Sequence, residues 1–364
     1  MRVVLLHAYS RNNLGDGLLV DEALETLREA YGAADVTVVA IDRDSFRDVP
    51  SVMEWPTSKG NRVSAVLHGV RALAGASPSA EAAALASLVR EVDLVVGVGG
   101  GYLRAPRGLA AVRTVGAHLP QLAAAARGET PSVYLPQSIG PLTRPIASRI
   151  RLLLNELSHV FVRDAVSAGE LRHLHNVQRL PDLAVLSLAR ARPRPAVSGG
   201  SPPILVVRAL QGDRTYIGRL RHLVTELGDP VFAIQSRGRG NDDTAFVARL
   251  IGRRSITTKP LPDLLAEFPG APVVSVRLHG ALMAIRCGSP AVHLSYERKG
   301  WGAYEDMNLV PYVHPARTFD PLHVSRQVSA LSADATEFWL RLENRAGHIE
   351  AQREILLGTL RSVV

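Results

Sequence analysis

The chain has 364 residues, of which 46% are hydrophobic and 21% are charged. At about 150 residues per domain this length predicts two domains, and the apolar share excludes a disordered chain. No uncharged apolar run approaches the ~18 residues of a membrane span, and the first apolar run is too short for a signal peptide. The lone cysteine, Cys287, excludes an intramolecular disulfide. We therefore expect a globular, cytoplasmic protein.

The formal charge is +8, and the excess is almost all arginine, since the chain has only the lysines Lys59, Lys259 and Lys299. The arginines are scattered, and 3 Trp and 8 Tyr provide few surfaces for base stacking. This distribution argues against a nucleic-acid partner. It predicts a basic surface suited to anionic small substrates, or to peripheral association with the inner face of an anionic membrane. No Cys/His cluster has the spacing of a zinc site, so no metal is expected.

The first half alternates short β-branched runs with helical patterns. Predicted strands cover residues 3–9, 36–41, 94–98, 133–135 and 160–162. Predicted helices cover residues 17–31, 80–91, 110–127, 144–157 and 165–174. Several of the strands are apolar on both faces, which is typical of a parallel sheet covered by helices on both sides.

A second alternation follows a stretch of four prolines and two glycines at residues 190–203, which indicates a linker. Predicted strands cover 204–208, 231–235, 273–276 and 291–294, with helices over 217–227, 244–252, 261–268 and 280–286. Only helical pattern remains after Pro321, over 337–360. The expected fold class is α/β, with two Rossmann-like doubly wound domains (1–189 and 204–320) facing a central cleft. Residues 321–364 form C-terminal helices that, by fold analogy, cross back to the first domain.

A polar turn lies between the first predicted strand and the first helix. It contains Asn13, Gly15 and Asp16. Free backbone N–H groups and the positive helix end at such a turn suit an anion or a polar substrate. The alternative is an ordinary helix start with Asp16 as the N-cap. The G-x-G-x-x-G dinucleotide fingerprint is missing.

Further turns end strands of the first half. The run Gly99-Gly100-Gly101 allows close approach of a ligand, and Arg104 follows at its mouth. Gln137 and Ser138 offer amide and hydroxyl groups at the expected cleft. A solvated basic loop and a plain Gly-Pro turn are the alternatives. Asp164 is expected to cap the next helix.

The most informative segment is Arg277-Leu278-His279, at the exit of a buried strand. Arg277 and His279 alternate across Leu278, so both can point toward one crevice. The helix that begins there directs its positive end at the same place. An arginine and a histidine so placed make a phosphate or carboxylate clamp with a proton donor. The alternative is a structural histidine with satisfied hydrogen bonds.

Neighbouring segments extend this crevice. A predicted strand runs into Tyr296, Glu297 and Lys299, which would line the same wall. Arg208 ends the first strand of the second half, and the loop 211–213 after it would close the site. The alternative for Arg208 is a surface arginine at a strand end.

In order, these segments resemble the polysaccharide pyruvyltransferase family over roughly residues 5–310. Matching motifs are N-x-G-D at 13–16, G-G-G at 99–101, Q-S-I-G-P at 137–141, R-D-x-x-S at 163–167 and P-D at 181–182. The most specific motif is R-L-H at 277–279, followed by C-G-S-P at 287–290 and Y-x-x-K at 296–299. Each motif alone is weak, whereas the ordered set is specific.

The resemblance implies a fold similar to that of GT-B glycosyltransferases, with the acceptor on the first domain and the donor on the second. The implied donor is phosphoenolpyruvate, whose pyruvyl unit becomes a ketal across two sugar hydroxyls in cell-surface polysaccharide or glycolipid biosynthesis. No cofactor is implied. The R-L-H motif places Arg277, Leu278 and His279 in the donor site, with Arg208 as a second arginine.

These residue types fit that chemistry. Phosphoenolpyruvate carries a phosphate and a carboxylate, which two arginines can bind. His279 can protonate the methylene carbon of the donor as a general acid, and either Asp16 or Glu297 can accept the hydroxyl proton. The acceptor can be a polysaccharide, a glycolipid or a nucleotide sugar.

Other classes of protein share part of the pattern. A nucleotide-sugar-dependent GT-B glycosyltransferase has the same architecture, but residues 270–305 contain R-L-H and Y-x-x-K instead of its E-x-x-x-x-x-x-E stretch. A non-catalytic carbohydrate-binding relative is a further alternative, against which the presence of both Arg277 and His279 argues. A Rossmann oxidoreductase would carry a nucleotide fingerprint, and neither half has one.

Overall fold

The computed structural model describes residues 1–55, 80–105, 109–143, 146–196, 200–210, 214–228, 230–238, 241–252 and 258–364. The chain divides into two compact units. Unit 1 comprises Met1–Arg11, Leu19–Leu183 and Gln352–Val364, and unit 2 comprises Asn12–Leu18 and Ala184–Ala351. The loop 211–213, expected to close the site, and residues 197–199 of the expected linker lie outside the described residues.

Unit 1 is built on a parallel sheet. Its strands are β1 (Arg2–Ala8), β2 (Asp35–Ala40), β3 (Ser51–Glu54), β4 (Leu94–Gly97), β5 (Ser132–Gln137), β6 (His159–Val162) and β7 (Val177–Arg179). The order across the sheet is β3-β2-β1-β4-β5-β6-β7, and each neighbouring pair is parallel. The strand order reverses between β1 and β4, so the carboxyl ends of these two strands form a switch point where ligands bind in doubly wound folds.

The central strands of unit 1 are apolar on both sides. Strands β4 and β5 are buried along their whole length, as expected of central parallel strands between two layers of helices. The helices are most of Leu14–Tyr31, together with Ala80–Glu91, Leu109–Arg127, Ile146–Asn155 and Ala165–Glu170. Val4, Val95 and Tyr134 of the sheet and Leu122 and Leu154 of the helices share one hydrophobic core.

The end of the last helix, Thr336–Ser362, belongs to unit 1 through contacts with the first helix. Arg353 forms an ion pair with Glu29 through both of its terminal nitrogens. The hydroxyl of Tyr31 donates a hydrogen bond to the carbonyl of Leu360. These contacts anchor residues 352–364 on the helix that follows β1.

Unit 2 repeats the plan of unit 1. Its strands are β8 (Ile204–Val206), β9 (Val231–Ile234), β10 (Arg237–Gly238), β11 (Asn241–Asp242), β12 (Lys259–Pro260), β13 (Val273–Ser275), β14 (Ala291–Ser295) and β15 (Val313–Pro315). The main sheet has the order β12-β9-β8-β13-β14-β15 and is parallel throughout, while β10 and β11 form a separate antiparallel pair. The switch point of this sheet lies between β8 and β13.

The helices of unit 2 pack around a second core. They are Leu183–Ala191, Arg214–Glu226, Asp243–Ile251, Leu261–Glu267, Leu278–Arg286, Arg298–Asp306, Pro321–Ala333 and most of Thr336–Ser362. Val206 and Val274 of the sheet and Leu220, Leu282 and Val324 of the helices belong to this core. Each unit therefore buries its own apolar layer.

The expected α/β class with two Rossmann-like doubly wound sheets is confirmed. The sequence patterns missed the edge strands β3, β7, β12 and β15, because these strands are short and partly exposed and so lack a continuous apolar run. They also missed the helix Arg298–Asp306. The strand predicted over 291–294 is confirmed, since β14 ends at Ser295, directly before Tyr296.

Residues 192–196, in the expected linker, pack on unit 2. The amide of Ala196 donates to the carbonyl of Gly288 at 3.1 Å. Gly288 has a positive φ of 83°, and a β-carbon there would lie 2.2 Å from the carbonyl oxygen of Arg194. The glycine of the C-G-S-P motif is therefore required by backbone packing.

Candidate functional site

The expected donor residues lie at the switch point of the unit 2 sheet. Arg208 follows β8, and Arg277 follows β13, which is the neighbouring strand. Because the carboxyl ends of parallel strands meet at one edge, both arginines belong to that edge. The helix Leu278–Arg286 begins there too, with Arg277 in the N-cap position and its side chain making no capping hydrogen bond. The positive end of the helix is thus directed at the same edge.

A second observation concerns how Arg277 is held. Its guanidinium forms two hydrogen bonds with Asp243, from Nε to Oδ2 at 2.9 Å and from Nη2 to Oδ1 at 2.5 Å. Arg277 is 7% exposed and Asp243 is 1% exposed, so the pair is buried. A bidentate pair fixes the plane of the guanidinium as well as its position. The sequence patterns missed Asp243. It follows the capping residue Asp242 at the start of a helix, so in the sequence it resembles a second capping residue.

Backbone hydrogen bonds fix both ends of this pair. Oδ2 of Asp243 also accepts from the amides of Gln235 and Ser236, at 3.2 and 3.0 Å. The hydroxyl of Ser275 donates to the carbonyl of Arg277 at 2.6 Å and accepts from its amide at 3.2 Å. These hydrogen bonds hold the strand-to-helix turn on both sides.

The N-x-G-D turn belongs to the same unit as this helix, although the sequence places residues 1–189 in the first domain. The amide of Leu14 donates to the carbonyl of Gln235 at 2.9 Å, and the amide of Arg237 donates to the carbonyl of Asn12 at 3.0 Å. These bonds fix residues 12–14 against the segment after β9. The turn thus lies beside the R-L-H helix start.

Gly15 packs directly against His279, and Asp16 interacts with His279 electrostatically. A β-carbon on Gly15 would lie 2.9 Å from Nδ1 of His279, so the imidazole packs on the glycine. Burial raises the pKa of the Asp16 carboxyl above its ordinary value, and the charges of His279, Lys299 and Arg277 together with a hydrogen bond from Asn13 oppose that shift. A carboxylate and an imidazole therefore interact within the candidate site.

Asp16 is not the N-cap of the first helix, which was the alternative interpretation of this turn. The helix begins at Leu14, which puts Asn13 before the first turn and Asp16 inside it. Asn13 donates from Nδ2 to Oδ2 of Asp16 at 2.7 Å and accepts from the amide of Gly15 at 3.3 Å. Asn13 thus performs the capping role, and it also orients the Asp16 carboxylate.

The remaining unit 2 residues form two pairs. Arg208 donates from Nη1 to the hydroxyl of Tyr296 at 2.6 Å, and its guanidinium carbon lies 5.1 Å from the centre of that ring. Lys299 forms an ion pair with Glu297 at 3.1 Å. Leu278 is buried at the first helical position, so only its backbone N–H can face a ligand.

A second histidine, His293, lies in the same region and was not among the expected site residues. Its Nδ1 lies 2.8 Å from the carbonyl of Ser275, so Nδ1 carries a proton and donates it. Burial lowers the pKa of His293 to about 4, and the positive charges of Lys299 and His279 add to that shift. His293 is therefore neutral near pH 7. A β-carbon on Gly300 would lie 2.3 Å from its Nε2, which explains the glycine after Lys299.

The other expected residues belong to unit 1, at the carboxyl edge of its sheet. The amide of Ser138 donates to the carbonyl of Gly100 at 2.8 Å, which joins the glycine turn to the Q-S-I-G-P segment. Gly100 has a φ of 148°, in the region that favours glycine. A β-carbon on Gly101 would lie 3.6 Å from Arg163. Gln137 is fully buried and Arg104 is half-buried.

Buried ion pairs and caps account for the R-D-x-x-S and P-D motifs. Arg163 binds Asp182 and also donates from Nε to the hydroxyl of Ser138 at 3.0 Å. The expectation that Asp164 caps a helix is confirmed, because its carboxylate accepts from the amide of Ser167 at 2.8 Å. The hydroxyl of Ser167 accepts in turn from the amide of Ile139. These motifs hold the polar turns of unit 1 in place.

At the switch point of unit 1, the structure also assembles a buried aromatic cluster. The backbone of His7 has a φ of 70°, in the left-handed region. Its ring stacks on that of Tyr102, with ring centres 4.4 Å apart. Its Nε2 lies 2.8 Å from the hydroxyl of Tyr134, and its Nδ1 lies 3.2 Å from Nδ1 of His118. Burial lowers the pKa of both histidines, that of His118 to about 4. Both rings are therefore neutral near pH 7.

Within the described ranges, no group of three or more His, Cys, Asp or Glu side chains is arranged to hold a metal ion. In the part of the chain that the structure covers, no helix combines the length and apolarity needed to cross a membrane.

The two doubly wound parallel sheets place the protein in the GT-B class, and solved structures of that class match nearly the whole chain. UDP-GlcNAc 2-epimerase from Neisseria meningitidis, bound to UDP-GlcNAc, is 11% identical over 99% of each chain, with a TM-score of 0.55. S. aureus MnaA in a co-structure with UDP is 10% identical over 94% of this chain and 90% of that one, with a TM-score of 0.52. Glycyrrhiza uralensis UGT73P12, bound to glycyrrhetinic acid 3-O-monoglucuronide, is 11% identical over 100% and 96%, with a TM-score of 0.50. At these identities the likeness establishes the fold alone.

The family follows from the sequence match. The model of the polysaccharide pyruvyl transferase family matches residues 13–298, and the chain belongs to that family. It is therefore a transferase of polysaccharide modification. No curated protein matches the chain significantly.

Proposed function

We propose that the protein transfers the pyruvyl unit of phosphoenolpyruvate to two hydroxyls of a saccharide acceptor, forming a pyruvate ketal and releasing inorganic phosphate. Family membership supports pyruvyl transfer. The observation that carries the choice of donor is the edge of unit 2, where a guanidinium fixed by Asp243, an imidazole and a helix N-terminus come together. Anion binding and proton delivery are what this donor requires.

The anion-binding part rests on three positive groups. Arg277 and Arg208 supply guanidinium groups, and the first turn of Leu278–Arg286 supplies backbone N–H donors and the positive helix end. Phosphoenolpyruvate carries a phosphate and a carboxylate. We assign these groups to the edge that carries both arginines, with Lys299 as a further cation.

The proton-transfer part rests on His279. In this mechanism His279 donates a proton to the methylene carbon, which becomes a methyl group, and the first sugar oxygen bonds to the neighbouring carbon. The second sugar oxygen then replaces phosphate at that carbon. Two hydroxyl protons are released, of which one restores His279 and the other leaves on phosphate, so atoms and charges balance.

Asp16 is the better candidate for the group that accepts the hydroxyl proton. Its carboxylate interacts electrostatically with His279, and burial raises its pKa above the ordinary value, which makes it a stronger base. Glu297 is held by Lys299 in an ion pair. A proton accepted by Asp16 lies beside the imidazole that needs it.

For the acceptor, the family implies a saccharide, and a free polysaccharide, a glycolipid and a nucleotide sugar all provide the required pair of hydroxyls. We propose that the glycine turn with Gly100 and Gly101, together with Arg104, Gln137 and Ser138, contributes to acceptor binding. These residues lie in polar turns at the carboxyl edge of the unit 1 sheet, where ligands bind in doubly wound folds.

Calorimetric titration with phosphoenolpyruvate tests the donor, with UDP and NAD as competing ligands. The wild-type protein should bind phosphoenolpyruvate alone. Arg277→Lys keeps the charge but loses the bidentate geometry, so its affinity should fall at least tenfold. Arg326→Ala is the matched control, because this exposed arginine lies on the helix Pro321–Ala333. Binding of UDP without phosphoenolpyruvate would replace the proposal with nucleotide-sugar-dependent glycosyl transfer.

A further inference from the structure

The side-chain amide of Gln235 is buried without a hydrogen-bond partner among the described residues. Gln235 directly follows β9 and is 1% exposed. In the part of the chain that the structure describes, neither Oε1 nor Nε2 has a hydrogen-bond partner. Buried amides are almost always satisfied, because desolvation without a hydrogen bond is costly. An amide in this state is suited to a hydrogen bond with a bound ligand.

The backbone of Gln235 is fixed from two sides. Its carbonyl accepts from Leu14, and its amide N–H donates to Asp243. Residue 235 therefore joins the segment that carries Asp16 to the carboxylate that holds Arg277. The side chain is positioned by the same bonds that build the candidate site.

The amide group lies against the first turn of the helix Leu278–Arg286. A β-carbon on Gly280 would lie 2.8 Å from Oε1 of Gln235 and 2.7 Å from the hydroxyl of Ser275. Any side chain at position 280 would thus displace the amide. Glycine at this position keeps the Gln235 amide beside the positive end of the helix, where backbone N–H groups suit an anion.

We propose that Gln235 binds the donor directly and helps to select it, by donating a hydrogen bond from Nε2 to an anionic oxygen of the donor at this helix end. The inference rests on the proposed function, since it adds a contact to the same donor site. A neutral amide suits the position because it can be buried without a counter-ion, unlike a third arginine. It contributes direction to binding, while Arg277 contributes charge.

Gln235→Met tests the assignment, since methionine has a similar length and no hydrogen-bonding amide. Removing an unsatisfied buried polar group should leave the protein as stable as the wild type or more so. Loss of a hydrogen bond to a charged ligand should raise the Kd for phosphoenolpyruvate by at least roughly tenfold. Thermal unfolding and calorimetric titration of the same samples give both results.

The matched control is Gln121→Met in unit 1. Gln121 is also buried, but its amide accepts from the backbone of His7 at 2.8 Å and donates to the carbonyl of Ala117 at 3.0 Å. Its replacement should lower the unfolding temperature and leave donor affinity unchanged. The two variants should therefore have opposite effects.

Three results would overturn the inference. If the wild type binds phosphoenolpyruvate and Gln235→Met binds it equally well, Gln235 is not a donor contact, although the proposed function stands. If Gln235→Met is clearly less stable than the wild type, the amide has a structural partner. If the wild type does not bind phosphoenolpyruvate, the proposed function fails, and the inference fails with it.

Discussion

The imidazole of His279 lies on the α-carbon of Gly15, although 263 residues separate the two in the chain. A β-carbon on Gly15 would lie 2.9 Å from Nδ1 and 3.1 Å from the β-carbon of His279. The second of these contacts involves an atom close to the backbone, which a side-chain rotation cannot move far. Glycine in the N-x-G-D turn therefore sets the position of the imidazole.

Gly15→Ala should displace His279 and lower kcat. A shift of about 1 Å in a group that takes part in catalysis can cost about 100-fold, so we expect a fall of at least tenfold. Gly218→Ala is the control, because it lies in the helix Arg214–Glu226 and, apart from the backbone of that helix, no described residue comes within 4 Å of the added methyl group. It should retain wild-type turnover and gain slightly in stability. Equal turnover by both variants would show that the contact does not position His279.

Asp243→Asn should weaken both folding and donor binding. The substitution leaves Arg277 buried without its charged partner, and breaking such a pair costs about 3–5 kcal/mol. The guanidinium also loses its fixed plane, so KM for the donor should rise. Asp242→Asn is the neighbouring control, since the exposed Asp242 caps the same helix and asparagine caps equally well. Denaturant unfolding and initial rates measure both effects, and equal stability of the two variants would contradict the prediction.

How far the sequence predicts this site depends on whether a residue acts through local pattern or through tertiary contact. The position of Arg277 and His279 at a strand-to-helix turn is predictable, because an apolar run ends directly before them. Asp243 and Gln235 are not, because nothing within their own segment indicates that the chain returns to Arg277 and to the N-x-G-D turn. The central strands are predictable too, because each is a local run of apolar residues. The short polar edge strands are not, because they form only by pairing with a neighbouring strand.

The N-x-G-D turn illustrates the limit of sequence order as a guide to domains. Residues 12–18 follow β1 of unit 1, so continuity assigns them to the first domain. Their backbone pairs instead with Gln235 and Arg237 of unit 2. Hydrogen bonds between distant segments determine to which unit this turn belongs, and no periodicity in the sequence indicates such bonds.

Stability should fall as the pH drops below about 6.5, through the buried histidines of unit 1. The pKa of His118 is lowered to about 4 from its ordinary 6.5 because of burial. Between these values the unfolded chain binds a proton that the folded protein excludes, so stability is complete above pH 6.5 and is lost as the pH falls toward 4. The loss attributable to His118 is about 3 kcal/mol at most.

His118→Gln should flatten this pH dependence, because glutamine hydrogen-bonds without titrating. Unfolding by urea at pH 7.5 and at pH 4.5 gives the slope for each variant. His222→Gln, on the exposed side of Arg214–Glu226, should retain the wild-type slope. An unchanged slope in His118→Gln would mean that the cluster does not control acid stability.

His279→Gln should separate chemistry from binding. Loss of a general acid should lower kcat by about 100-fold to 10,000-fold, while the Kd for phosphoenolpyruvate stays within about threefold of the wild type. His323→Gln is a control on the exposed surface of the same unit. A large rise in Kd with unchanged kcat would assign His279 to binding and would require another proton donor.

The coupling between Asp16 and His279 can be measured by combining their substitutions. If a proton passes from the acceptor hydroxyl to Asp16 and from there to His279, the two groups act as one unit. The effects on kcat of substituting the members of such a unit are strongly non-additive. Asp16→Asn and His279→Gln should then each lower kcat, and the double variant should be no slower than the slower single variant. Glu297→Gln provides the comparison, because its carboxylate pairs with Lys299. Its effect should multiply with that of His279→Gln. Multiplicative effects for Asp16 and non-additive effects for Glu297 would transfer the role of proton acceptor to Glu297.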